Sequence, residues 1–290
     1  MEHERVLQEI VDWARADENI RAVVLSGSAA LGDSYLDELS DLDVELYVRA
    51  PELLLDDSSW YARFGEVLVV EALTNPGWNP TRLVYYVGGK VDFMVGSVGA
   101  LGEDSYDRPF CVLVDKDDLA IQLTTTGAEW APPGPEQFHE CANRLYAAAL
   151  MWANYLVRDE PWSAKIRDWD AKQELLKMIE WDHKARYGAQ FETWFGGKRF
   201  NQWVDADVRA SLERCWSGFG LAESAAALVA TVELFEQLRS RTADTLGIKT
   251  MVTDRVRHEI AAIMAKRGDL HPAQSSGSQR SPFTSGVVRP

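Results

Sequence analysis

Cysteine is scarce: Cys111, Cys141 and Cys215 are the three cysteines in 290 residues. Their number is odd and they carry no metal-ligand spacing. This excludes a disulfide framework and a cysteine-held zinc, and they read as reduced thiols of a cytoplasmic protein. Histidine is sparse too, and His3, His139, His183, His258 and His271 form no zinc motif. No uninterrupted apolar run reaches membrane-spanning length, and Met1-Glu2-His3-Glu4-Arg5 lacks the pattern of a signal peptide. Positive charge is also short. Thirty Lys and Arg residues against 45 Asp and Glu leave a net charge of −15. Such a chain repels a polyanion, so nucleic acid is not an expected partner, and it attracts a polycation. What is present, 46% hydrophobic and 26% charged residues, is the composition of a globular protein able to build one large domain or two small ones.

The informative residues lie near the start. Ala22-Val23-Val24-Leu25 reads as a buried strand and ends in Gly27-Ser28. Ser40-Asp41-Leu42-Asp43 heads a second, alternating run to Val48. Side chains two apart on a strand point the same way, so Asp41 and Asp43 share one side while Leu42, Val44 and Leu46 take the other. Adjacent carboxylates repel unless a cation lies between them. A hard ion such as Mg²⁺ takes oxygen ligands and shares them with substrate phosphates. Gly27-Ser28 supplies a tight turn whose N–H groups can approach a phosphate. Taken singly, Asp-x-Asp is a solvated strand face and Gly-Ser is a turn. Together, with Ala30 and Gly32 between them, they resemble the signature of the nucleotidyltransferase superfamily. That superfamily carries a third carboxylate on a later strand. Asp92, in Lys90-Val91-Asp92-Phe93-Met94-Val95, fits it. Glu45 shares the face of Asp43 but lies about 7 Å further along, at about 3.3 Å per residue, which makes it an outer residue.

Periodicity outlines the rest. A helix over 3–16 precedes strands at 21–26 and 42–48. A helix near 51–63 and a strand from Glu66 to Ala72 follow. Asn75 to Pro80 is a loop. Leu83–Val87 and Val91–Val95 flank Gly88-Gly89 as a hairpin with a two-residue turn. Cys111–Val114 is a further short strand. Pro132-Pro133-Gly134-Pro135 marks a boundary. Beyond it, Glu136–Val157, Asp168–Tyr187, Ala206–Trp216, Leu221–Leu246 and Thr253–Lys266 read as helices. Residues 271–290 lack periodicity and read as a disordered tail. The expected class is therefore α+β: a mixed sheet with flanking helices over 1–132, and a helical bundle over 136–268.

A narrower resemblance covers nearly the whole chain up to the tail. Phe64-Gly65-Glu66, Lys90-Val91-Asp92, Val112-Leu113-Val114-Asp115-Lys116-Asp117, Gln173 to Trp181, and Gly197-Lys198-Arg199-Phe200 with Trp203-Val204 are similar to the aminoglycoside 6-adenylyltransferases, which inactivate streptomycin. The resemblance implies that AMP passes from ATP to a streptomycin hydroxyl, releasing pyrophosphate and giving antibiotic resistance. Asp41 and Asp43 would hold Mg²⁺. Ser28 and the N–H groups near Gly27 would hold the terminal phosphates. Asp92 would bind metal or take the hydroxyl proton. The family's usual Arg after Gly-Ser is Ala29 here. Lys172, Lys177, Lys198 and Arg199 are the candidates to replace its charge. Where the family often has His before the Glu of the helical motif, this chain has Gln173. Trp169 and Trp181, flanked by Asp168, Asp170, Glu180 and Asp182, suggest an aromatic and acidic pocket for a guanidinium-bearing acceptor, with Glu174 contributing. A protein or another small molecule is the alternative acceptor, and a monomer is the favoured state.

Overall fold

The computed structural model describes residues 2–32, 37–101, 105–106, 108–125, 130–250 and 254–266. The expected tail at 271–290 lies outside the described residues. Two units divide the chain, residues 1–129 and 130–290, and the fold is α+β.

In the first unit, helix α1 (His3–Ala16) buries Val6, Ile10, Val11 and Ala14, a single stripe at helical spacing. The strands are β1 (Ile20–Ser26), β2 (Leu42–Val48), β3 (Val67–Leu73), β4 (Thr81–Tyr86), β5 (Gly89–Ser97), β6 (Ser105–Tyr106), β7 (Cys111–Asp115) and β8 (Thr124–Thr125). Two helical turns, α2 (Gly27–Ala30) and α3 (Glu52–Leu55), lie between them. Six strands form one sheet in the order β3-β4-β5-β2-β1-β7, and β6 pairs with β8 separately. The β2–β5 pair is parallel and the other pairs of the large sheet are antiparallel, so the sheet is mixed.

Period-two alternation divides the sheet into two faces. Leu42, Val44, Leu46 and Val48 of β2, with Val91, Phe93 and Val95 of β5, join α1 in one core. Stacked and edge-on aromatics complete it: Trp13 lies 5.0 Å from Trp60, and Trp60 lies 4.9 Å from Phe93. Tyr47, Ala22 and Val24 pack on the opposite face in a smaller cluster with Leu101 and Leu123. That second face is the one carrying Asp43 and Asp92.

Two local details of the first unit differ from the sequence expectation. The helix over 51–63 is broken into α3 and a tight turn at Ser59–Arg63. Asp57 captures the Ser59 N–H at 2.8 Å and the Ser59 hydroxyl at 2.9 Å, bonds that compete with helix continuation. The hairpin pairs Tyr86 with Gly89, so its two-residue turn is Val87-Gly88, with Gly88 at φ +86°. The Val112–Asp117 segment proves to be a structural clasp. Asp115 accepts the N–H groups of Leu119 and Ala120, each at 2.9 Å, and Asp117 binds the buried Arg21 guanidinium, 2.6 Å from Nε.

The second unit contains α4 (Pro135–Val157), α5 (Pro161–Tyr187), α6 (Phe200–Trp203), α7 (Ala206–Glu213), α8 (Leu221–Leu246) and α9 (Asp254–Ala265). Helix α5 begins seven residues before the expected Asp168, because Pro161 is suited to a first turn, where its missing N–H has no partner to lose. Trp152, Phe138, Leu145, Leu175, Met178, Leu228 and Phe235 form its core. The Trp152 indole N–H is satisfied by Ser224 Oγ at 2.9 Å. Among the described residues no helix is long and apolar enough to cross a membrane.

Candidate active site

Strand register brings the acidic residues together. Asp43 on β2 stands across from Asp92 on parallel β5 and across from Ser26 on antiparallel β1. Asp41 lies two residues before Asp43. One carboxylate oxygen each of Asp41, Asp43 and Asp92 lies within 4.8 Å of the others.

Gly27 makes this approach possible. It sits at φ +66°, and a Cβ built there would lie 1.9 Å from Asp43 Oδ2 and 2.7 Å from its Cγ. Only a residue without a side chain leaves the Asp43 carboxylate where it is. Ser28 follows in α2, partly exposed. The donor set is three hard carboxylates with no sulfur or imidazole, and it fits a hard divalent cation.

Absent from the expected set is Lys90. Its ammonium lies 3.0 Å from Asp41 Oδ2 and 2.9 Å from Asp92 Oδ2, and 5.6 Å from the centre of the Tyr85 ring. Burial alone would lower its pKa, but hydrogen bonds to Asp92 and Asp41 outweigh that and raise it. A signal was available in the sequence, since Lys90 and Asp92 are two apart on one strand and must share a face. Glu45 stands outside the triad. Its Oε2 accepts the hydroxyls of Tyr47 at 3.1 Å and Tyr106 at 2.5 Å. Burial first, then the bond to Glu45, pushes the Tyr106 phenol far up.

In the second unit, Glu174, Lys177 and Trp181 line a cavity of about 380 Å³ together with Gln137, Glu140 and Arg144. Glu174 is buried, and Lys177 Nζ donates to its Oε2 at 2.8 Å while Arg144 approaches Oε1 at 3.9 Å. Trp181 stacks on Phe138 at 6.1 Å. Arg144 and Glu140 come from α4, and the sequence offered no sign that α4 would face this part of α5.

Other expected site residues lie elsewhere. Lys172 is inside the helical core rather than on a phosphate-facing surface. Its ammonium reaches Asp168 at 2.6 Å and Thr231 at 2.9 Å, and lies 4.9 Å from the Trp152 ring. Burial pulls its pKa down, with Asp168 opposing. Asp168 is consumed by the same pair and by Lys165 at 3.1 Å. Asp182 is fully buried. It binds Arg186 at 2.7 Å and Arg241 of α8 at 2.7 Å, and so ties α5 to α8. Neither Asp168 nor Asp182 lines the cavity. Trp169 is exposed, with Asp170 held by Arg167 at 2.9 Å. Lys198 is exposed, and Arg199 lies over the Trp194 ring at 4.5 Å.

A mixed sheet that sets a glycine turn against carboxylates on neighbouring parallel strands defines a nucleotidyltransferase. The chain belongs to the streptomycin adenylyltransferase family, whose sequence pattern matches residues 1–260. It is 24% identical over 221 residues to an aminoglycoside 6-adenylyltransferase of Campylobacter jejuni, covering 72% of this chain and 77% of that one. It is 23% identical over 265 residues to the Bacillus subtilis aminoglycoside 6-adenylyltransferase, covering 86% and 93%. A crystal structure of an aminoglycoside 6-adenyltransferase from Bacillus subtilis aligns over 89% of this chain and 97% of that one, with 17% identity and a TM-score of 0.45.

Proposed function

We propose that this protein transfers AMP from ATP to a hydroxyl of an aminoglycoside, with streptomycin as the acceptor and antibiotic resistance as the outcome. One observation carries the transfer chemistry in this reading: three carboxylates converge against a glycine that no other residue could replace without moving one of them. Asp41, Asp43 and Asp92 are the residues that would hold Mg²⁺. When bound, the ion neutralises triphosphate charge, the main demand of such transfers. Ser28 and the N–H groups of α2 bind the terminal phosphates. Asp92 takes the proton from the acceptor hydroxyl as its oxygen bonds to the α-phosphorus and pyrophosphate departs.

For the acceptor, the reading uses the cavity of the helical unit. A buried carboxylate on Glu174 and the face of Trp181 suit a guanidinium, which would exchange with Lys177 for the same oxygens. The net charge of −15 raises the local concentration of any cationic acceptor.

The test is incubation with ATP, Mg²⁺ and a panel of aminoglycosides, following pyrophosphate release and product mass. Streptomycin should gain one AMP. Pyrophosphate release without modification of any aminoglycoside, alongside adenylylation of added protein, would overturn the acceptor and leave the transfer chemistry standing.

A further inference from the structure

Lys90 joins two of the three carboxylates that would hold the metal, at 3.0 Å from Asp41 and 2.9 Å from Asp92. It therefore occupies one oxygen on each of two carboxylates from which a divalent ion would draw its ligands. Its side chain and those of both partners are mostly shielded from water, at 23%, 27% and 17% exposure, so these contacts are only partly screened. The Gly27–Ala30 turn carries no basic side chain, so the triphosphate finds no cation there.

We propose that Lys90 is a positioning residue of the nucleotide site with two states. In the metal-free protein its ammonium holds Asp41 and Asp92 together against their mutual repulsion. When metal and nucleotide bind, it gives up these oxygens and its charge turns to the triphosphate. The inference rests on the metal reading of the triad and adds a competing internal cation to it. Two consequences have opposite signs. Removing Lys90 takes away a competitor for the carboxylates, so a bare divalent ion binds more tightly. It also takes away a phosphate partner, so nucleotide binds more weakly. A lysine that served only to hold the fold would weaken both.

The variants are Lys90→Met and Lys90→Arg, with Asp43→Asn as the reference for metal binding. Mn²⁺ alone is titrated by electron paramagnetic resonance, and a non-hydrolysable ATP analogue with Mg²⁺ by calorimetry. Lys90→Met should bind Mn²⁺ roughly 5–10-fold more tightly and the analogue roughly 10-fold more weakly, the size of effect that one partly screened ion pair exerts. Lys90→Arg should stay near wild type in both. Equal or weaker Mn²⁺ binding in Lys90→Met, while Asp43→Asn abolishes it, overturns the Lys90 inference alone. Mn²⁺ binding by wild type that Asp43→Asn leaves intact overturns the metal reading itself. If Lys90→Met fails to fold by circular dichroism, Lys90→Gln carries the same test with the same outcomes.

Discussion

Gly27→Ala is the sharpest test of the site, because a single methyl separates two effects. The new Cβ would fall 1.9 Å from Asp43 Oδ2, 2.7 Å from Cγ and 3.2 Å from Cβ, so the Asp43 side chain must leave its place. An L-residue at φ +66° adds a backbone cost of about 1–2 kcal/mol. Driving Asp43 off its rotamer adds about 0.5–1.5 kcal/mol. The stability loss should therefore be about 1.5–3.5 kcal/mol. The functional loss should be much larger, because displacing a reacting group by about 1 Å costs about 10²-fold in rate. The control is Gly77→Ala. Gly77 has φ +82° with nothing within 4 Å of its Cβ, so it carries the backbone cost without the clash. Both variants should melt a few degrees lower by calorimetry. Gly27→Ala should lose about 10²-fold in AMP transfer and most of its Mn²⁺ binding, while Gly77→Ala keeps both. If Gly27→Ala retains wild-type Mn²⁺ affinity and turnover, Asp43 is not where the metal is held.

Asp43→Asn should abolish transfer while leaving apo stability unchanged, because relief of repulsion offsets the lost charge. Asp41→Asn should also abolish it but cost about 0.5–1 kcal/mol in apo stability, since Lys90 loses a partner at 3.0 Å; thermal melts beside turnover decide. Glu174→Gln should raise the KM for streptomycin about 10-fold and make it less salt-sensitive, with the KM for ATP unchanged, as measured kinetically at two ionic strengths. Asp182→Asn should behave differently: it weakens a buried tie to Arg186 and Arg241 and should lower stability by about 3 kcal/mol in urea melts, without a selective effect on streptomycin. Glu180 is pushed up to about 7 by burial, from 4.5, against the opposing charges of Lys184 and Lys177. Its folded pKa lies above its unfolded one, so its contribution is full below about pH 4.5 and is lost as pH rises through 7. Glu180→Gln should gain up to about 3 kcal/mol relative to wild type at about pH 8 and little at about pH 4.5, in denaturant melts at both. A gain independent of pH would refute the burial.

Local rules were enough for much of this protein. Alternation along Leu42–Val48 set Asp41 and Asp43 on the face opposite the apolar core, because side chains on a strand can go only two ways. The apolar stripe of α1 and the helices of the second unit were legible for the same reason: burial must repeat with the backbone period. Whether Asp92 meets Asp43 is a different matter. It depends on β2 and β5 pairing in parallel with one register, and a slip of one residue would turn Asp92 toward Phe64 and Trp60. The sequence marked Asp92 as an odd acid in an apolar run, but only sheet assembly put its oxygen near the other two. Lys90 entered by the same register. In the second unit, spacing along α5 could not separate Glu174 from Asp168 and Asp182, since all three are acids on one long helix. Packing against α4 turned Glu174 and Trp181 into a cavity. Packing against α8 buried Asp182 with Arg241 and Lys172 with Thr231. Which charged residue of a helix stays accessible and which is consumed in the core depends on the helices packed against it, and those lie tens of residues away along the chain.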